Sequence, residues 1–209
     1  NHNGEITHTC VHCGETYTTK IPATNITPAN PTVEDKPVVE EPVEMSFTDV
    51  KENAWFYEDV VYVFENELMN GVGNGTKFAP DMDITRGMIV TILWRMEGQP
   101  SPEAACQFAD VSAGASYEDA IAWAAENGIV TGFSATKFNP DASITREQFV
   151  TMLYAYSKYK GIDVSVGEET NILSYTDAFD VAEYAIPAVQ WSCGSGVMGG
   201  YTDGSLKPT

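Results

Sequence analysis

The stretches "DITRGMIV" (residues 83–90) and "SITREQFV" (residues 143–150) carry the same Ile-Thr-Arg triplet sixty residues apart. The similarity extends well beyond the triplet. Residues 57–94 align with 117–154 at a constant offset of 60, without a gap and with 14 identities over 38 positions. Self-similarity at a fixed period is the sequence signature of a repeat architecture. The fold is therefore decided by one short unit that the chain uses several times.

A third copy begins at Tyr175, where "YTDAFD" matches the "FTDV" and "FADV" that open the first two copies. It continues through "AVQWSCGSGVMGGYTDGSLKP", and the residues up to Thr209 hold only its first half. We therefore divide this part of the chain into repeat one (47–107), repeat two (108–174) and an incomplete repeat three (175–209).

Each repeat is predicted to form a helix, a glycine-rich loop and, in the two complete repeats, a second helix. Apolar residues recur three and four positions apart in the first helices. They are Tyr57, Val60, Val61, Phe64 and Leu68 in repeat one, Tyr117, Ala120, Ile121 and Ala124 in repeat two, and Ala185, Ala188 and Val189 in repeat three. Each loop closes on an apolar plug two residues before a proline, at Phe78, Phe138 or Leu206. Thr85 and Thr145 then stand where the N-cap of a second helix belongs.

Two segments of different composition precede the repeats. Residues 1–21 are polar and contain Cys10 and Cys13, while residues 22–46 form an acidic, proline-rich stretch that favours an extended linker. One Cys-x-x-Cys pair beside two histidines is compatible with zinc, which takes four nitrogen or sulfur ligands. No second pair follows, so both cysteines are weak metal candidates. A plain or disulfide-closed hairpin is the simpler interpretation.

Composition excludes several classes of function. Eleven Lys and Arg against 30 Asp and Glu leave a formal charge of -19, which argues against binding to nucleic acid or to an anionic membrane. No apolar run approaches the roughly 18 residues that cross a bilayer, and we expect a soluble piece that is either mature or cut from a larger protein. The repeats contain no histidine, nucleophile elbow or phosphate loop, so we expect neither an enzyme nor a cofactor. Their loops also lack the acid pattern of a calcium-binding loop.

Arg86 and Arg146 are the first candidates for a binding site. Each directly follows a predicted N-cap, where its charge opposes the helix dipole at a cost of roughly 0.3–1 kcal/mol. Free amides and a guanidinium together suit a carboxylate or a phosphate. The alternative is that each arginine pairs with an acid of a neighbouring repeat. Lys77 and Lys137 occupy one repeated loop position and add either local positive charge or ordinary solvated side chains.

The repeats resemble S-layer homology repeats, in the order F-x-D-V, aromatic helix, glycine loop, F-x-P and I-T-R. The resemblance covers residues 47–209. It implies an all-α fold of helix-loop-helix repeats in a pseudo-threefold bundle, here with a small Cys-containing N-terminal segment and an extended linker. It also implies a secreted, noncatalytic domain at the cell wall or S-layer. Such a domain binds secondary cell wall polysaccharide, often through a pyruvylated amino sugar, in grooves between repeats.

By position, the resemblance carries the ligand-binding role to Thr85 and Arg86 in repeat one and to Thr145 and Arg146 in repeat two. Repeat one departs from the usual Ala-Glu continuation of the motif with Gly87 and Met88. We add Lys77, Lys137, Asp203 and Gly204 as candidate ligand-binding residues, although "YTDG" is most simply a turn. Two partners are therefore expected: the wall polysaccharide, and other surface-layer subunits if the repeats instead build a lattice or filament.

Overall fold

The structure is a computed structural model that describes residues 4–9, 16–21, 45 and 47–209. The chain divides into two units, Asn1–Pro42 and Val43–Thr209. In the first unit, β1 (Gly4–Thr9) and β2 (Thr16–Ile21) pair antiparallel from Gly4 opposite Ile21 to Thr9 opposite Thr16. Cys10, Cys13 and nearly all of the predicted linker lie outside the described residues.

Among the described residues of the second unit the regular elements are helices joined by loops, with three isolated β-bridges and no strand, which confirms the expected all-α repeat fold. Its helices are α1 (Tyr57–Glu65), α2 (Arg86–Met96), α3 (Glu118–Glu126), α4 (Arg146–Tyr159), α5 (Val166–Glu169) and α6 (Ile186–Gly194), with 3₁₀ turns at Ala178–Asp180 and Glu183–Ala185. The short α5 was not predicted. It belongs to the connection between repeats two and three and packs against α6.

Helices α2 and α4 begin where the threonines predict. The hydroxyl of Thr85 accepts a hydrogen bond from the Met88 amide at 3.3 Å, and that of Thr145 accepts one from the Gln148 amide at 3.4 Å. Both threonines have extended backbone angles, as an N-cap requires. The N-cap prediction is therefore confirmed, and it fixes an arginine as the first residue of each helix.

The core follows the predicted apolar stripes and is densest in repeats two and three. Phe138 and Leu206, the plugs of these two repeats, are fully buried, whereas Phe78 is only partly buried. Trp123 and Trp191 are also core residues, at 2% and 5% exposure.

The aspartate of each F-x-D-V-like start holds the loop of its own repeat in place. Asp49 accepts hydrogen bonds from the amides of Phe78 and Ala79, and Asp110 accepts them from the two equivalent amides of repeat two, all at 2.8–2.9 Å. Asp177 does the same at Leu206 and Lys207, at 2.7 and 2.8 Å. This contact fixes the plug carbonyl that receives an arginine in the candidate site.

The first helices of repeats one and two correspond at an offset of 61, so the constant offset of 60 is wrong for this half. Helix α1 begins after Phe56 and α3 begins after Tyr117. At the C-terminal end of each helix an asparagine side chain, that of Asn66 or Asn127, donates a 2.8 Å hydrogen bond to the carbonyl four residues earlier. The shared "YED" is therefore not structurally equivalent. One extra residue in the loop of repeat one restores the offset of 60 at the plugs.

Candidate functional site

Arg86 reaches from α2 into the loop of repeat two. Its Nε donates to the Phe138 carbonyl at 3.0 Å, while Nη1 and Nη2 donate to Gln148 Oε1 and the Thr131 carbonyl, both at 3.4 Å. Its Cζ lies 4.6 Å from the centroid of the Phe138 ring. Arg86 is only 8% exposed, and this burial lowers the pKa of its guanidinium below the ordinary value, while the nearby Tyr184 opposes the shift. A guanidinium stays charged in proteins.

Arg146 repeats this arrangement one unit further along the chain. Its Nε and Nη2 donate to the carbonyls of Leu206 and Gly199, both at 2.9 Å, and its Cζ lies 5.0 Å from the Tyr201 ring. Each arginine therefore starts a helix in one repeat and binds two loop carbonyls of the next. One carbonyl belongs to the residue before a loop glycine, Gly132 or Gly200. The other belongs to the plug.

The described residues do not support the alternative that the two arginines pair with acids. The ion pairs found there join Lys160 to Glu97 at 2.9 Å and Lys207 to Asp203 at 3.8 Å. Arg86 and Arg146 instead donate to carbonyl groups, which are neutral. The positive charge of Arg86 is thus buried without a negative partner among the described residues.

Repeat three completes the site around Arg86. Glu147, the second residue of α4, is 5% exposed and accepts hydrogen bonds from the Ala182 amide at 2.9 Å and the Tyr184 hydroxyl at 3.0 Å. Burial, and to a smaller extent the hydrogen bond to the Glu147 carboxylate, raises the pKa of Tyr184 to about 12. Tyr184 is 58% exposed, so its ring forms part of the surface near Arg86. We call the site formed by Arg86, Thr131, Phe138, Gln148 and Tyr184 the middle groove.

The two candidate lysines lie on the exposed loops beside the aspartates of their own repeats. The Phe78 amide, more than Lys77, holds the pKa of Asp49 below its usual value. At Asp110 burial raises the pKa, but backbone amides, assisted by Lys137, hold it below the usual value. Lys137 directly precedes Phe138, whose carbonyl accepts from Arg86, and Lys77 directly precedes the equivalent plug Phe78.

Asp203 and Gly204 form a turn. Asp203 accepts from the amide and hydroxyl of Ser205 at 3.0 and 2.6 Å, and Gly204 has a φ of +81°. The Gly204 carbonyl accepts from the Thr176 amide at 2.9 Å. These contacts give both residues a structural role in the turn.

Sequence reasoning missed the contributions of Tyr184 and Gln148. The side-chain oxygen of Gln148 accepts a hydrogen bond from Arg86 Nη1 at 3.4 Å. Tyr184 carries no motif signal, because repeats one and two have other residues at equivalent positions. The described residues contain no cluster of three or more His, Cys, Asp and Glu suited to a metal ion, and none of their helices is long and apolar enough to cross a membrane.

Comparison with known proteins identifies the family. The model of the S-layer homology domain matches residues 46–87, 107–150 and 174–209, which is more than half of the chain. The chain belongs to the S-layer homology family, and its three matches correspond to the three repeats. Membership places it outside the cell, at the cell surface, as an anchoring module.

Relatives include surface proteins and an enzyme. The chain is 32% identical over 162 residues to an endoglucanase of Bacillus sp. (strain KSM-635), covering 78% of this chain and 17% of that protein. It is 33% identical over 116 residues to the surface-layer 125 kDa protein of Lysinibacillus sphaericus, covering 52% and 10%. A cellulosome-anchoring protein of Acetivibrio thermocellus is 26% identical over 148 residues, covering 68% and 33%. The chain thus spans about a third or less of each of these relatives.

Proposed function

We propose that this chain anchors a surface protein noncatalytically by binding a carboxylate-bearing sugar of the secondary cell wall polysaccharide, with the middle groove as its principal site. A ketal-linked pyruvate on an amino sugar supplies such a carboxylate. Arg86 binds the anion, Gln148 and Tyr184 offer further hydrogen bonds, and Thr85 fixes the start of the arginine's helix. The cellulosome-anchoring relative supports the anchoring part of this proposal.

The observation that carries the proposal is the state of the Arg86 guanidinium. It is 8% exposed, lacks a carboxylate partner among the described residues, and makes two of its three bonds at 3.4 Å. Charge-assisted bonds to a carboxylate are shorter, about 2.7–2.9 Å. An anion placed at Nη1 and Nη2 would therefore replace two long bonds with stronger ones and neutralise a buried charge.

Local donors explain how a chain of charge -19 can bind an acidic polymer. Salt screens repulsion between exposed charges beyond roughly 8–10 Å, whereas the groove donors act at contact distance. Arg146 lies in a second, more exposed site of the same kind, and Lys77 and Lys137 contribute positive charge at the loops. Several weak sites that engage one polymer raise the apparent affinity by about two to four orders of magnitude.

Titration calorimetry with a short wall oligosaccharide, before and after acid removal of pyruvate, tests this role. A bond between Arg86 and a carboxylate is worth about 1.5–3 kcal/mol, so Arg86→Gln should weaken binding of the pyruvylated sugar about 10- to 150-fold. Arg86→Lys should recover part of the loss, and the exposed Lys158→Gln variant should bind normally. Equal affinity of Arg86→Gln and wild type for the pyruvylated sugar would overturn the assignment.

A second candidate function is contact between surface-layer subunits. Phe179 is 90% exposed and Leu173 is 64% exposed, and both line a cavity of about 530 Å³ beside α5. Exposed apolar residues of this kind mark interaction surfaces. Sedimentation velocity over a concentration series should show self-association that Phe179→Ser abolishes if this function is correct, and a concentration-independent monomer if it is not.

A further inference from the structure

The connection between repeats two and three carries a helix that the connection between repeats one and two does not have. The aspartates that open the three repeats, Asp49, Asp110 and Asp177, are 61 and then 67 residues apart, so the second connection is longer by six residues. Helix α5 lies in this longer connection and packs so closely on α6 that an added Cβ on Gly167 would lie 3.0 Å from the Trp191 backbone. The connection therefore forms a fixed wall beside repeat three.

A cavity of about 530 Å³ lies between this wall, the 3₁₀ turn Ala178–Asp180 and helix α6. All of its lining residues fall within 168–190, so one continuous stretch of the chain builds it. Its lining includes three exposed apolar side chains, those of Leu173, Phe179 and Ile186. An uncovered cavity of this size with apolar walls is typical of a binding surface. We call it the α5 cavity.

The charge around the α5 cavity is negative. Residues 161–206 contain seven acidic residues and no Lys, Arg or His. Glu168 and Glu169, in the first turn of α5, are exposed and line the cavity. Neither takes part in the ion pairs formed within the described part of the chain. A cation placed in the cavity would lie close to two carboxylates and to the Phe179 ring, whose face also attracts cations.

This charge disfavours a second copy of the chain as the occupant. In a twofold symmetric contact the same surface lies on both sides. Glu168 and Glu169 of one copy would then face the same two residues of the other, and like charges across an interface oppose association. The formal charge of -19 adds repulsion between whole chains. An apolar surface surrounded by acids is complementary to a partner that is apolar and basic.

We propose that the α5 cavity docks a basic amphipathic segment of another surface protein. Apolar side chains of that segment pack against Phe179 and Leu173, and its Lys or Arg side chains pair with Glu168 and Glu169. The inference rests on the second candidate function in taking this surface as a protein contact, and it names the partner as a basic segment instead of a copy. It does not depend on binding of a carboxylate at Arg86.

A labelled peptide that alternates pairs of leucines with lysines supplies such a segment. Fluorescence anisotropy with the intact chain at low salt should show saturable binding. A peptide with serine in place of every leucine should bind at least about tenfold more weakly, because it has no apolar anchor. A peptide with glutamate in place of every lysine should also bind at least about tenfold more weakly, because its charge is repelled.

Variants of the protein test the two parts of the surface separately. Phe179→Ser should weaken binding of the leucine-lysine peptide at least about tenfold through loss of the apolar anchor. Glu168→Gln/Glu169→Gln should weaken it about three- to tenfold, and only at low salt, since exposed ion pairs are screened. The matched controls, which should bind normally, remove an equally exposed ring and an adjacent exposed acid pair in the first turn of α1: Trp55→Ser and Glu58→Gln/Asp59→Asn.

Methyl NMR signals locate the peptide, and they should shift at Leu173 and Ile186 and stay unchanged at the buried Leu93. Absence of saturable binding, equal binding of the serine peptide, or an equal loss in the control variants would each overturn the proposal. Sedimentation velocity separates it from the second candidate function. Peptide binding by a chain that stays monomeric supports the basic partner and contradicts self-association, whereas self-association that Phe179→Ser abolishes, without peptide binding, overturns the basic partner.

Discussion

Removing the Glu147 carboxylate should loosen the junction between repeats two and three. The side chain is 5% exposed and accepts two hydrogen bonds from repeat three, from the Ala182 amide at 2.9 Å and the Tyr184 hydroxyl at 3.0 Å. It also lies in the first turn of α4, where a negative charge interacts favourably with the helix dipole. Glu147→Ala deletes all three interactions at once.

The expected loss of stability is about 2–4 kcal/mol. Hydrogen bonds to charged groups contribute about 1.5–3 kcal/mol each, but Tyr184 is 58% exposed and its hydroxyl can bond to water after the change. The partly buried Ala182 amide has no such ready replacement. Glu147→Gln keeps an acceptor for the Ala182 amide and should lose about half as much stability. Tyr184→Phe should cost about 1 kcal/mol because it removes one neutral donor.

Urea unfolding followed by circular dichroism measures these differences, with exposed Glu168→Ala as the control. Since 1 kcal/mol shifts the Tm of a domain of this size by about 2–4 °C, Glu147→Ala should melt about 4–16 °C lower. A Glu147→Ala variant within about 0.5 kcal/mol of wild type, the usual range for surface substitutions, would refute the junction role. The double variant with Tyr184→Phe should show coupling, because the two residues share a bond.

Three further outcomes are expected. Asp110→Asn should cost about 1 kcal/mol in urea unfolding, because one of two amides loses its carboxylate acceptor at a half-exposed site; unchanged stability would contradict the loop clamp. The equivalent aspartates have pKa values below their ordinary 3.8, chiefly through the Phe78 amide at Asp49 and the Leu206 amide at Asp177. Their contribution to the free energy of unfolding is complete above the unfolded pKa and is lost as the pH falls through the folded pKa. An acid titration of the melting temperature, compared with that of the variant in which all three aspartates are Asn, checks this dependence. Gly132→Ala should destabilise by more than about 2 kcal/mol, since its Cβ would lie 2.3 Å from a backbone carbonyl; near-wild-type melting would show that the loop can move.

Much of the fold could be predicted from repetition alone. The apolar stripes and the N-cap threonines located the paired helices, because local propensity, capping and periodicity agree there. The offset between α1 and α3 could not be found by matching identical residues. The identical "YED" triplets favour an offset of 60, but packing and the asparagine C-caps place the helices at 61.

The candidate site was harder to predict from the sequence than the fold. The sequence drew attention to the two repeated arginines, but most of their acceptors are backbone carbonyls, which no side-chain pattern reveals. Tyr184 and Gln148 reach the same groove from different repeats, so their proximity depends on how the repeats pack. Arg86 is buried and Arg146 is only partly buried, although each donates to two loop carbonyls of the following repeat.

Co-sedimentation with purified cell-wall sacculi tests the central claim most directly. Wild-type chain should sediment with intact sacculi and remain in solution with sacculi stripped of polymer by acid. The Arg86→Gln/Arg146→Gln variant should remain in solution in both cases, while retaining the circular dichroism spectrum and melting behaviour of a folded domain. Equal sedimentation of a folded double variant, or undiminished binding to stripped sacculi, would contradict anchoring through these arginines and favour contact between protein subunits.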